Sequence, residues 1–299
     1  MATTHIEKCP VCGSEELVPF LNCIDYFASK ESFAICKCKK CGFALTQDFP
    51  PETEIGRYYD VPAYISHSDT HKGVINTLYH WARKIALRSK SNTVTRFSGK
   101  ATGTLLDIGC GTGYFLNCMK KKHWVVTGIE KAENPREYAR EKFGINCQCS
   151  EYLFEIAAKS KDVITMWHVL EHLEQLNKTM AQLHKILKDD GVAIIALPNK
   201  QSFDAAAYKK KWAAYDVPRH LWHFSPDDFE LLAKKHRFDL IDIKPMYFDS
   251  FYISMLSEKN KGTFCASLVG LIKGGICFIR SLGNKHKCSS LIYILKKKL

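Results

Sequence analysis

The chain has 299 residues, is 46% apolar and carries a formal net charge of +12. That length holds one large domain plus a small appendage, and the apolar share supplies an ordinary globular core. Thirteen cysteines would suit a disulfide scaffold, but the chain is too long for one and six of them fall before residue 42. Such clustering favours metal binding in a reducing compartment, the cytoplasm.

Residues 1–48 hold two matched pairs, Cys9/Cys12 followed by Gly13 and Cys38/Cys41 followed by Gly42. Two residues between cysteines let both sulfurs face one ion, and the glycine permits the turn that aims backbone N–H groups at sulfur. The expectation is a four-cysteine zinc ribbon, with Cys36 as a substitute for Cys38 and Cys23 as an ordinary buried thiol. Four thiolates leave no open coordination position, so the zinc would be structural. With one such ion and four thiolates the net charge falls to about +10. No apolar run precedes the first pair, so no signal peptide is read.

Residues 49–59 (FPPETEIGRYY) read as a linker, because two prolines followed by acids make a poor interior element. Within 49–100, Val74, Leu78, Trp81 and Ile85 recur at helical spacing and predict an amphipathic helix over 74–88. From 101 to 299 short apolar runs alternate with helical stretches. Strands are expected at 104–108, 124–129, 162–167 and 191–197, and helices at 114–121, 135–143 and 173–187. Ser225, Pro226, Asp227 and Asp228 supply an N-cap, a first-turn proline and acids at the positive end of a further helix. This alternation means βαβ units and a mostly parallel sheet wound on both faces.

Residues 263–282 are the most apolar stretch, interrupted by Lys273, Gly274, Gly275 and Arg280. A core or lid helix ranks first there, an interfacial helix making peripheral membrane contact second, and a span last. Residues 289–295 read as a last strand. Lysines elsewhere are scattered, with no basic run interleaved with aromatics, so a solvated surface is preferred over a nucleic-acid footprint.

The segment LLDIGCGTG (105–113) follows a strand and opens a helix. Gly109, Gly111 and Gly113 let the backbone turn tightly and approach a ligand at the helix N-terminus. Glu130 ends the next strand, 21 residues beyond Gly109, where an acid accepts hydrogen bonds from ribose hydroxyls.

These motifs resemble those of class I S-adenosylmethionine-dependent methyltransferases, which have Rossmann-like folds. DVITMWHVLEHL (162–173), LHKILKDDGVAIIALPN (183–199) and WAAYDVPRHLWHFSPDDF (212–229) resemble the branch that includes ubiquinone-biosynthesis O-methyltransferases. The resemblance implies that Asp107 orients the loop and meets the amino-acid end of the cofactor, that the three glycines make room for it, and that Glu130 holds the ribose. It places Trp167 and His168 beside the sulfonium and offers Glu151 as the acid for the adenine amine. The related enzymes carry a Glu-x-x-Glu-His run that binds a divalent cation, whereas this chain has His168, Glu171 and His172 at that spacing.

Methyl transfer from a sulfonium needs alignment and water exclusion, and a general base only when the acceptor starts protonated. His168, His172, His220 and His223 are the candidates, with His220 and His168 preferred. Trp212, Tyr215, Asp216 and Trp222 surround them and are read as pocket lining or core. The first expectation is an enzyme acting on a small or lipid-linked metabolite. An RNA or protein methyltransferase that docks through its ribbon is the second, and a non-catalytic cofactor-binding protein the third. Residues 1–48 hold five basic and six acidic side chains, which speaks against an RNA-binding arm.

Overall fold

A computed structural model of the chain describes residues 3–59 and 74–298, the side chains of 74–82 excepted. The N-terminal part forms a hairpin of β1 (Leu17–Ile24) and β2 (Ser32–Cys38), extended by β3 (Ala44–Thr46). Its fourth strand, β8 (Trp222–His223), comes from far along the chain: Leu45 pairs with Trp222 and Ala44 with His223. The ribbon sheet is therefore completed by the large domain.

The main sheet contains β4 (Thr104–Ile108), β5 (Val125–Ile129), β6 (Lys161–Trp167), β7 (Leu187–Pro198), β9 (Phe238–Pro245) and β10 (Ser290–Lys297), in the order β5-β4-β6-β7-β10-β9. The first four are parallel, and β10 runs antiparallel to both its neighbours. Strand periodicity explains why both faces are covered. Along β7, Ala193, Ile195 and Leu197 join one core cluster with Ile108 and Met166, while Val192, Ile194 and Ala196 join a second with Leu105, Phe115 and Trp124.

Helices α1 (Val74–Ser98), α2 (Tyr114–Lys120), α3 (Glu133–Phe143), α4 (Leu176–Ile186), α5 (Phe203–Tyr208) and α6 (Pro226–Lys235) connect the strands. Ser225 caps α6 in a reciprocal box with Asp228 and Pro226 opens the helix. Helix α1 extends ten residues past the expected end and buries Ser91, Thr93 and Val94. Of its expected apolar stripe, Val74, Leu78 and Trp81 lie outside the described side chains, and Ile85 is exposed.

Two expectations are corrected. Residues 49–59 do not behave as a linker: Phe49 and Tyr58 are fully buried and Ile55–Tyr58 forms a 3₁₀ turn. Residues 263–282 are not a core helix either. Helix α8 (Ala266–Gly283) packs antiparallel on α7 (Asp249–Lys261) through its smallest residues and leaves its large ones outside. Two of its glycines allow close approach. A Cβ on Gly270 would lie 2.4 Å from Met255 Cα, and one on Gly274 2.6 Å from Phe251 Cα.

The ribbon is fastened to the large domain by Arg219, whose side chain is 1% exposed. Its Nη2 donates to Asp25 at 2.9 Å and to Asp216 at 2.6 Å, its Nε to Asp216 at 3.0 Å, and its Nη1 to the Tyr58 carbonyl at 2.9 Å. Truncating Arg219 would leave two carboxylates without their counter-ion, one of them fully buried, a change that typically costs about 3–5 kcal/mol. Arg219→Ala is expected to lose stability on that scale in denaturant unfolding, and Arg219→Lys, unable to make the two-pronged contact, to lose part of it.

Candidate active site

The chain order reverses about β4, whose neighbours are β5 and β6, and the site lies beyond the carboxyl ends of these strands, where open α/β sheets bind ligands. The loop after β4 is tied to β5: Gly109 N and Cys110 N both donate to Ile129 O, at 2.7 and 3.0 Å. Gly109, Gly111 and Gly113 all have positive φ. Their reasons differ. A Cβ on Gly109 would meet Val169 at 2.3 Å and one on Gly113 would meet Ala139 at 2.9 Å, whereas one on Gly111 would meet no described residue within 4 Å. Gly109 and Gly113 thus serve packing, and Gly111 is the position a ligand can approach.

Glu130 follows β5 directly. Its Oε2 accepts from Gly111 N at 2.9 Å and its Oε1 from Ala132 N at 3.0 Å, which fixes the carboxylate while leaving each oxygen a second lone pair. Arg136 donates to the Glu130 carbonyl at 2.9 Å. Glu151 lies in a short turn after the chain passes beside β5; it is exposed, and the side chain of Cys149 holds its carboxyl below the ordinary value.

Asp107, buried near the carboxyl end of β4, accepts a 2.6 Å bond from Thr165, and burial pushes its carboxyl up to about 7. Lys90 on α1 lies near it, its ammonium 4.5 Å from the Trp167 ring centre, and burial lowers its pKa. Trp167 packs edge-on against Phe115, and its buried Nε1 has no hydrogen-bond partner among the described residues. A buried donor left this way is costly.

Past Trp167 the backbone turns sharply at His168, which has φ of 59°, into a 3₁₀ turn over Leu170–His172. Glu171 and His172 therefore precede α4 rather than opening it. His168 Nδ1 is 3.4 Å from Glu171 and Nε2 is 3.4 Å from Asp249. Burial opposes its charge, but the two carboxylates outweigh it and raise its pKa to about 9. The geometry counts against His168 as a base: each ring nitrogen faces a carboxylate, and both carboxylates favour its charged form.

Beyond that ion pair, neither buried oxygen of Glu171 accepts a hydrogen bond from the described residues. His172 is held neutral, its pKa lowered to about 4 by burial and by the neighbouring His220, and its Nδ1 donates to Arg219 O at 3.0 Å. The two rings meet edge to face, with centres 4.5 Å apart. His220 Nδ1 lies 2.8 Å from Ala214 O, a carbonyl that can only accept, so Nδ1 carries the proton and Nε2 keeps its lone pair. Donor atoms of Glu171, His172 and His220 all fall within 4.8 Å of one another. One carboxylate and two imidazoles suit a hydroxyl proton or a first-row divalent cation. His168 replaces the first acid of the related metal-binding run with a positive charge, and the third donor here is His220.

His223 stands apart. It is buried beneath the ribbon, its pKa well below the ordinary histidine value, and its Nε2 is 3.0 Å from Thr46 Oγ1. Trp212, Tyr215 and Trp222 are core, and Asp216 belongs to the Arg219 network. Lys90 and Asp249 were not legible as site residues, because α1 and α7 bring them in from outside the motif-bearing region. In the ribbon, Cys9, Cys12, Cys38 and Cys41 converge, with Sγ–Sγ distances of 3.6 Å for Cys9/Cys41 and 3.5 Å for Cys12/Cys38. Cys36 lies outside the group.

A glycine loop at a strand end, an acid after the next strand and a parallel sheet of this order define a nucleoside-binding α/β domain. The chain belongs to the methyltransferase-domain family, whose profile matches residues 80–243. The ubiquinone biosynthesis O-methyltransferase of Saccharophagus degradans is 30% identical over 118 residues, covering 37% of this chain and 50% of that one. Its namesake from Idiomarina loihiensis is 24% identical over 169 residues, covering 52% and 70%. The chain thus spans half the length of the first relative. A SAM-dependent methyltransferase from Archaeoglobus fulgidus shares the fold, with a TM-score of 0.51, 20% identity, and coverage of 72% of this chain and 94% of that one.

The His168 charge is directly observable. Its raised pKa means its ion pairs add stability that is complete below pH ~6.5 and is lost as pH rises through about 9. In an NMR titration the His168 ring is expected to titrate near pH 9, and Asp249→Asn to bring that midpoint down. A midpoint at or below 6.5 in the parent protein would remove the assignment.

Proposed function

We propose that the chain transfers a methyl group from S-adenosylmethionine to a small or lipid-linked acceptor, with His220 as proton acceptor and a structural zinc in the ribbon. The observation that carries this reading is that the segment Trp167–His172 joins two half-sites, Val169 packing on Gly109 of the glycine loop while Glu171 and His172 meet His220. On one side stand the glycine loop and Glu130, and on the other the Glu171–His172–His220 cluster.

The residues fit the cofactor. Gly111 leaves backbone access, and Glu130 has free lone pairs for two ribose hydroxyls. Lys90, whose amine lies near Asp107, is placed to pair with the carboxylate of an amino-acid end. When bound, S-adenosylmethionine supplies an activated methyl on a cationic sulfur. The chain holds the acceptor in line and takes its proton at His220 Nε2, while Glu171 stabilises the imidazolium that forms. His168, already charged, positions Glu171 instead of taking the proton.

Zinc is supported by the four-thiol group, since a Zn–S distance of 2.3 Å gives a tetrahedral edge of about 3.8 Å, close to the spacing of the paired sulfurs. Backbone N–H groups of Val11 and Cys12 aim at Cys9, and those of Lys40 and Cys41 at Cys38, as thiolate ligands require.

Calorimetric titration with S-adenosylmethionine and S-adenosylhomocysteine is expected to give micromolar binding of both, at least about tenfold weaker in Glu130→Ala, or ~1.4 kcal/mol. Absence of binding to folded protein would overturn the proposal. His220→Ala should bind the cofactor normally and fail to methylate acceptors in labelled cell extract. Zinc analysis should find one ion per chain, lost in Cys38→Ser and retained in Cys36→Ser.

A further inference from the structure

Helix α8 is built inside out. Its inner face, Gly270, Gly274, Cys277 and Ser281, is small and packs on Ser250, Phe251 and Met255 of α7. Its outer face carries Leu268, Leu271, Ile272, Ile276, Ile279 and Leu282, each 45–66% exposed. A helix docked on a soluble core buries its large side chains. Close contact through small residues, with aliphatics turned outward, is how helices pair when the surroundings are themselves apolar. Phe264, 91% exposed, caps the turn between the two helices, and Phe248 lies exposed at the other end. The patch amounts to several hundred Å², roughly at or beyond the size that marks an interaction site on a soluble protein.

The charges say what covers it. Between residues 249 and 287 there are only two acids, and both are neutralised inside: Asp249 pairs with His168, and Glu258 with Lys273 at 2.6 Å, Lys261 and Thr263. The remaining cations lie at the two ends of the hairpin: exposed Lys259 near Phe264, with Lys261 shared with Glu258, and Arg280, Lys285 and Lys287 at the far end, Lys285 lying 3.8 Å from Asp242. A second copy of this chain would bring like charges together across such a face. An anionic lipid surface would meet apolar residues in the middle and cations at both ends.

Among the described residues, α8 is the one helix long and apolar enough to cross a membrane by length and composition. At 18 residues it is roughly 27 Å long, just under a bilayer core, and its inner side is held by α7. We propose that the α7–α8 hairpin lies on an anionic bilayer with the outer face of α8 immersed at the headgroup boundary. Asp249, at the start of α7, touches His168, so this surface adjoins the acceptor side of the site. The proposal stands whatever the acceptor is.

Flotation of the full chain with phosphatidylcholine vesicles, with and without about one-third phosphatidylglycerol, tests it. Binding is expected with the anionic vesicles, at least tenfold weaker for the exposed-site variant Ile272→Asp/Ile279→Asp. Lys285→Gln/Lys287→Gln should reduce the preference for anionic over neutral lipid. Circular dichroism and S-adenosylhomocysteine affinity, measured on the same variants, should not change and so separate lost docking from lost folding. Absence of binding to anionic vesicles, or binding indifferent to both double variants, would overturn the proposal. So would a concentration-dependent dimer that Ile272→Asp/Ile279→Asp dissolves, which would give the face to a second copy.

Discussion

The position of the candidate acceptor side depends on the buried guanidinium of Arg219. Taken out of water, that charge is tolerable only with its partners in place, and these come from three separate stretches of chain: Asp25 in the ribbon, Tyr58 after it, and Asp216 beside the histidines. The next residue is His220, and the Arg219 carbonyl receives the His172 ring. The same group that fastens the ribbon therefore sets both imidazoles. Seen this way, the ribbon is a wall of the site rather than an appendage, and Asp25 influences ring geometry without touching either ring.

The division of labour among the histidines follows from what faces each one. His168 lies between two carboxylates and is charged, His172 is kept neutral by burial and by its neighbour, and His223 is locked to Thr46. His220, like His172, has its proton fixed on Nδ1 by a carbonyl and a lone pair left on Nε2, and both rings share a cluster with the unsatisfied Glu171 carboxylate. Chemically identical side chains within 56 positions thus take different roles.

The parallel sheet, the glycine loop and Glu130 were legible because each is written locally. Strand runs carry their own periodicity, and positive φ at three spaced positions asks for glycine. The cysteine pairs were legible for the same reason, since metal spacing is a short-range property. The rest depends on what packs where. FPPETEIGRYY reads as a linker in sequence, yet Phe49 and Tyr58 find buried sites made by other segments. Lys90 and Asp249 join the site across distances that no local pattern records. Helix α8 was misread because the usual rule, apolar inside, is reversed along it, and Gly274 in sequence looks the same whether it weakens a helix or brings two together.

The strand exchange between ribbon and large domain bears on how the chain matures. Thr46 and its partner His223 are 177 positions apart, so an emerging chain can gather its four thiols long before β8 exists. Until those later residues leave the ribosome, β3 offers an unpaired strand edge to whatever is nearby. Assembly thus divides into an early local step and a late closing one, and the interval between them, set by translation speed, is when this protein is most open to mispairing with other chains.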